Sequence, residues 1–158
     1  MKISTALDII KKNQISPPVQ ILPIAKELGL NVYSVDDWPD DLSGALQRDS
    51  SSESGFAIYV NAHHSDTRRR FTIAHEIAHF ILHRDLIDGD TPLIDDALYR
   101  SGHSNVVEAA ANKMAADILM PWRLIDRVIN DGIATIPLLA KKFNVSNSAM
   151  SIRLGVPD

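Results

Sequence analysis

The feature that most constrains this chain is the pentapeptide His75-Glu76-Ile77-Ala78-His79, set in a stretch whose apolar residues recur at helical spacing. On an α-helix, positions i and i+4 share one face about a turn apart. Two imidazoles so placed can bind one metal ion, and Glu76 then lies beside the remaining coordination position. This arrangement is typical of a zinc hydrolase, in which the metal and the carboxylate together activate a water molecule.

Composition and charge indicate an ordinary globular protein. The 158 residues are 45% hydrophobic and 23% charged, enough to bury one core. The net charge of −4 gives no overall attraction to nucleic acid or to an anionic membrane. No apolar run reaches the length of a membrane span, and a charge interrupts the start too early for a secretory leader. We therefore expect a cytoplasmic protein in which 1–158 form a single domain.

The absence of cysteine limits the chemistry of any metal site. Without thiols there are neither disulfides nor thiolate ligands. A metal must therefore be held by imidazole, carboxylate or water.

The spacing of apolar residues predicts an α+β fold with the strands early and the helices late. Two helices are expected first, over 3–12 and from the prolines at 17–18 to about 28. Alternating segments then predict a small three-stranded antiparallel sheet in sequence order, packed on a pair of helices. The three predicted strands are 30–35, 42–48 and 55–61.

The second half of the chain is predicted to be helical. The main helix pair is expected over 68–83, capped near Ser65, and over 104–120, with 84–103 as a long loop between them. Shorter helices are predicted over 122–130, 135–143 and 146–154.

The end of the chain, 133–158, has the outline of a helix-turn-helix extension with its turn at Asn144. A DNA-reading version needs basic and amide side chains on its second helix. That helix offers little of this kind, so we interpret the extension as a packing element or a surface for a protein partner. The polar side chains it does offer are Asn147, Ser148 and Arg153.

Two histidines leave a four-coordinate metal in need of a third protein ligand. His83 lies on the same helical face but about 12 Å from His75 along a straight helix, too far to share one ion. Asp85 would serve only if the helix broke sharply, and Leu82 stands where the pattern HExxHxxGxxH has its glycine. Asp85 is therefore the less favoured candidate.

Glu108 on the second strong helix is the preferred third ligand. Glu108 and Asn112 are i and i+4, so they share a face, and the alanines around them allow a close approach of another helix. Asn112 can then accept a hydrogen bond from a ligating imidazole and fix its tautomer.

Three segments together resemble the ImmA/IrrE family of metallopeptidases. They are 71–79 (FTIAHEIAH), 108–112 (EAAAN) and 115–121 (AADILMP). The resemblance extends over about 55–121, and the C-terminal end resembles the helix-turn-helix-like tail common in that family. Met114 stands where the family often has phenylalanine, a core substitution that leaves the chemistry unaffected.

The resemblance implies a set of roles. His75, His79 and Glu108 match the family's metal ligands, and Glu76 matches its general base. The implied metal is Zn²⁺, although two imidazoles and one carboxylate also suit Mn²⁺ or Fe²⁺. Glu76 takes a proton from the attacking water and returns it to the leaving nitrogen.

Two further parts of the site are expected near this centre. An oxyanion donor is needed, and the candidates are the polar residues just before the Glu108 helix, namely Tyr99, Arg100 and His103. The strand 55–61 is a candidate sheet edge that holds extended substrate.

The family resemblance implies a zinc-dependent endopeptidase that cleaves a specific regulatory protein. The implied substrate is a helix-turn-helix (XRE-type) repressor or an antitoxin encoded nearby. The alternative is a partner-binding component of a toxin–antitoxin or repressor pair that keeps the zincin fold with little or no turnover. Glu76 favours the enzyme, because a scaffold has no need of a general base.

Overall fold

The structure, a computed structural model, describes residues 1–87, 93–96 and 105–156. Within these ranges it contains four strands, seven α-helices and one 3₁₀ turn. In chain order the elements are α1 (Ile3–Asn13), α2 (Ile21–Glu27), β1 (Asn31–Val35), β2 (Leu42–Arg48), β3 (Phe56–Asn61), α3 (Asp66–His83), the 3₁₀ turn Arg84–Leu86, β4 (Leu93–Asp96), α4 (Asn105–Leu119), α5 (Trp122–Asn130), α6 (Ile136–Phe143) and α7 (Asn147–Leu154). The predicted α+β class is confirmed.

The sheet is mixed, with the strand order β1-β3-β2-β4. β2 is antiparallel to both β3 and β4, whereas β1 is parallel to β3. The predicted antiparallel sheet in sequence order was therefore wrong in its pairing. Alternation of apolar residues identifies a strand but not its neighbour, and here β2 returns the chain so that β3 runs in the direction of β1.

A fourth strand, β4, lies in the stretch that we predicted to be a loop. Its four residues pair with β2 across an irregularity between Leu42 and Gly44. Gly89 and Pro92, which favoured a loop in the sequence, lie outside the described residues. A strand this short is specified by the backbone groups of β2 that it pairs with, which leave no periodic signal in its own sequence.

The start of α2 also differs from the prediction. The helix begins at Ile21, not at the prolines near residue 17. A helix starting there would place Pro23 in its interior, where proline lacks the N–H and clashes with a preceding carbonyl. Starting at Ile21 puts Pro23 in the first turn, where no intrahelical donor is needed.

The two C-terminal helices pack onto the same hydrophobic core as the rest of the chain. Leu139, Phe143 and Met150 are fully buried members of that core. The turn between the helices is at Asn144, as predicted, with a left-handed φ of 53°. The division into a main domain and an extension over 133–158 stays a prediction.

Two partly buried arginines attach the C-terminal helices to the main helix pair. Arg70 of α3 donates to the carbonyl oxygens of Phe143 and Asn144 at the end of α6. Burial lowers the pKa of Arg70, and the charge of Asp66 opposes that shift. On α7, Arg153 donates to the Met120 carbonyl and pairs with Asp117 at 2.8 Å. Across the described residues, no helix combines the length and apolar character needed to cross a membrane.

Candidate metal centre

Helix α3 presents the HExxH residues from within the core. Its predicted cap is confirmed, because the Ser65 hydroxyl accepts a hydrogen bond from the Arg68 backbone N–H at 3.4 Å. Every residue from Thr72 to Ile81 is buried. A helix enclosed on all sides is held by its neighbours, here the sheet and α4, so its side chains have fixed positions.

The three predicted ligands converge from two helices. His75 and His79 of α3 are 6% and 0% exposed, and their rings meet edge to face with centroids 4.5 Å apart. Glu108 of α4 reaches both imidazoles: its carboxylate oxygens lie 3.1 Å from His75 Nε2 and 3.4 Å from His79 Nε2. All three ligand atoms lie within 4.8 Å of one another.

These spacings fit a tetrahedral metal. Two ligands bound to Zn²⁺ at about 2.1 Å stand about 3.4 Å apart at a tetrahedral angle. The donor set of two neutral imidazoles and one carboxylate is also a zinc-hydrolase set. Neither His83 nor Asp85 belongs to this group. Its distance along the helix had excluded His83 as a ligand, and the lack of a glycine at position 82 had made Asp85 the less favoured candidate.

The electrostatics of Glu108 suit a ligand. Burial raises the pKa of its carboxyl, but hydrogen bonds and charge interactions with His75 and His79 outweigh burial. The net result is a pKa well below the usual range, so the carboxylate is ionised at neutral pH.

A hydrogen bond from the far side of each ring orients the imidazoles. Asn112 Oδ1 lies 2.8 Å from His75 Nδ1, as predicted for an amide one turn after Glu108. Because Oδ1 can only accept, His75 carries a proton on Nδ1, which leaves Nε2 as the ring atom available to a metal. The structure therefore brings Asn112 to the position that its predicted role requires.

His83 makes the equivalent contact to His79, a role that was not predicted from the sequence. His83 Nδ1 lies 2.9 Å from His79 Nδ1, so one ring donates and the other accepts. For His79 Nε2 to bind metal, His79 must donate and His83 must be the neutral Nε2–H tautomer. The signal was present, since the i, i+4 rule that pairs His75 with His79 also pairs His79 with His83.

Removing either of these outer contacts should weaken metal binding. We expect Asn112→Ala and His83→Leu each to lower metal affinity about 10-fold to 100-fold, as is usual for partners of ligating histidines. His83→Gln keeps an acceptor and should lose less. Competition with a chelating dye measures the affinity. The control is His63→Leu, which changes an exposed histidine two residues before the Ser65 cap of α3. Unchanged affinity in His83→Leu would make its contact with His79 incidental.

The general-base candidate, Glu76, is fully buried at the interface between α3 and the sheet. The sheet approaches it at Gly44 of β2. A Cβ atom on residue 44 would stand 2.4 Å from Thr72 Cγ2 and 3.2 Å from Glu76 Oε1. Gly44 was not among the residues predicted from the sequence, although a glycine inside a strand can mark such a close approach.

This close contact predicts that Gly44→Ala is destabilising. The added methyl group overpacks the interface, for which we expect a loss of about 1–3 kcal/mol in the free energy of unfolding. Thr72→Ala removes the nearest atom, so the double variant should recover most of the loss. Urea unfolding of the two single variants and the double variant measures this coupling; additive effects would show that the two residues do not press on each other.

Two other predictions concerned the oxyanion donor and the strand that holds the substrate. Tyr99, Arg100 and His103, the oxyanion candidates, lie outside the described residues. The strand 55–61 was wrong as a substrate edge, because β3 is flanked by β1 and β2. The outer strands of the described sheet are β1 and β4.

An HExxH helix, a crossing helix that supplies a glutamate and an adjoining sheet define a zincin-type peptidase domain. The sequence agrees: the family model Peptidase_M78, the IrrE N-terminal-like domain, matches residues 25–155. The chain belongs to this peptidase family, as its motifs predicted.

In fold, the chain is similar to a Mycobacterium tuberculosis transcriptional regulator. The TM-score is 0.63 at 19% sequence identity, over 98% of this chain and 46% of that one. The chain thus spans less than half the length of that protein, and the likeness concerns the fold alone. None of the curated proteins compared with the sequence matches it.

Proposed function

We propose that the chain is a zinc-dependent endopeptidase that cleaves one regulatory protein, a helix-turn-helix (XRE-type) repressor or an antitoxin encoded nearby. The observation that carries the proposal is the convergence of His75, His79 and Glu108 beside the buried Glu76. Membership of a peptidase family supports peptide hydrolysis. The substrate class rests on the resemblance to the ImmA/IrrE family.

The chemistry divides between the metal and the chain. A divalent metal held there would lower the pKa of water and polarise the scissile carbonyl. Glu76 accepts the proton of the attacking water on a carboxylate oxygen and delivers it to the leaving nitrogen. Asn112 and His83 contact Nδ1 of His75 and His79, which leaves the Nε2 atom of each ring to face the metal position.

The alternative function is a zincin-fold component that binds a partner without cleaving it. The position of Glu76 favours the enzyme over this alternative. Burying a carboxylate is costly, and a scaffold gains nothing from having one beside the metal ligands. A general base must stand near the water that it deprotonates, and Glu76 directly follows the ligand position His75 on the same buried helix.

The direct test is incubation of the Zn²⁺-loaded protein with the repressor or antitoxin encoded beside it. We expect cleavage at a single site, identified by mass spectrometry and prevented by a chelator. A helix-turn-helix protein of unrelated sequence serves as the control substrate and should stay intact. Stable binding without any cleavage would contradict the proposal and support the partner-binding alternative.

A further inference from the structure

A groove with a volume of 810 Å³ extends from His75 to the C-terminal helix α7. Its walls are the first half of α3, the middle of α4 and one face of α7. Apolar side chains from these helices and from residues next to them line it: Phe71, Ala116, Met120, Val145, Ala149 and Ile152. Ile152 is 77% exposed, so its side chain is accessible to a ligand in the groove.

The charges in this groove have one sign. Its described lining includes Arg68, Lys113 and Arg153 but neither Asp nor Glu, in a chain whose net charge is −4. Lys113 and Arg153 already pair with Asp117.

Arg68 differs from the other two cations. It is exposed, and its guanidinium donates to the Ser43 hydroxyl at 3.2 Å. Among the described residues it has no carboxylate within ion-pair distance. An acidic group entering the groove would therefore meet a cation that is still available.

Contacts made by two arginines fix the positions of the helices that form the groove. Arg153 is 9% exposed and attaches α7 to α4, while its guanidinium stacks on Trp122 at 4.8 Å. Arg70 attaches α6 to α3. A preformed site loses little conformational entropy on binding.

We propose that this groove binds the segment of the protein substrate next to the scissile bond. An apolar side chain of that segment packs between Phe71 and Ala149, and an acidic side chain pairs with Arg68. The inference rests on the proposed function, because it places the reacting peptide bond at the His75 end. It also gives α7 a role, in which the second helix of the helix-turn-helix-like tail recognises protein.

A peptide fits the groove better than nucleic acid does. Nucleic acid binding depends on several cations facing phosphates, whereas two of the three cations here already share an ion pair with Asp117. The apolar floor instead favours burial of a hydrophobic side chain. The apolar and charged features together match a mixed peptide segment.

The test uses the Zn²⁺-loaded Glu76→Gln protein on an array of short synthetic peptides of varied sequence. We expect the bound peptides to be enriched in an apolar residue with Asp or Glu a few positions away. Adding Arg68→Glu should shift the preference from acidic to basic peptides by about tenfold or more. Adding Ala149→Phe fills the groove and should weaken binding by at least about tenfold.

Two matched variants control for the chemical changes. Lys142→Glu reverses an exposed cation on α6, and Asn147→Phe adds an aromatic ring to α7 outside the groove. Both should bind the same peptides as the parent protein. Duplex DNA titrated over a salt series is the competing ligand; DNA binding that is lost in Arg68→Glu would overturn the peptide proposal.

The outcomes separate this inference from the proposed function. Peptide binding with the expected preferences, but no cleavage by the wild-type protein, would support the groove as a peptide-binding site and contradict the proposed endopeptidase activity. Cleavage with site preferences unchanged by Arg68→Glu and Ala149→Phe would support the endopeptidase activity and show that the groove does not bind the substrate. An array without any sequence preference also rejects the groove.

Discussion

Glu76→Gln should abolish cleavage while leaving the metal content and the fold intact. The amide has the shape of the carboxylate but cannot accept the proton of the attacking water at neutral pH. General-base contributions are typically about 10²–10⁴-fold, and we expect a loss of at least that size in kcat. Because the glutamine replaces a fully buried carboxylate, the stability of the variant should be equal to or greater than that of the wild type.

The measurement combines turnover, metal content and unfolding. Elemental analysis should give the wild-type ratio of zinc to protein, and urea unfolding should show no loss of stability. Glu53→Gln, an exposed change of the same chemistry in the loop before β3, should keep full activity. Turnover retained in Glu76→Gln would remove Glu76 as the base and direct the search to residues outside the described ranges.

The metal ligands could be predicted because helical spacing is a local property. Positions i and i+4 share a face in any α-helix, so His75 with His79, and Glu108 with Asn112, were readable as pairs. Their meeting across two helices required one tertiary assumption, that alanines allow close approach. Ala111 and Ala115 are completely buried in α4, as that assumption requires.

Sheet order could not be read in the same way. The alternation in β1, β2 and β3 was clear, but the partner of each strand depends on long-range contacts that leave no mark in the strand itself. β4 carries too few residues to show any period at all. Strand pairing and the short strand β4 are therefore determined by tertiary contacts and not by the local sequence.

Two features of the structure could have been predicted from the sequence but were not. Pro23 already excluded a helix starting near residue 17, and His83 stands at the same spacing from His79 as His79 does from His75. Gly44 is different, because its importance comes from Thr72 and Glu76 on the facing helix. A glycine in a strand signals a close approach but does not say what approaches.

The second large effect is expected from Glu108→Ala, which removes the only predicted ligand that α4 supplies. The carboxylate contacts both imidazoles, at 3.1 and 3.4 Å, so its loss leaves two ligands on one helix. Outer contacts of a metal site are worth about 10-fold to 100-fold in affinity, and losing a direct ligand should exceed that range. Asn112→Ala in the same assay provides the internal comparison.

Thermal unfolding gives a readout of this change that does not depend on activity. A ligand present at about 1,000 times its dissociation constant stabilises the folded state by about 4 kcal/mol. A chelator should therefore lower the melting temperature of the wild type and of Glu53→Ala, the exposed control, but should barely change that of Glu108→Ala. Full zinc occupancy in Glu108→Ala, with the wild-type response to chelator, would show that another residue completes the site. The two-helix centre, and with it the assignment of His75 and His79 to a hydrolytic metal, would then lose its basis.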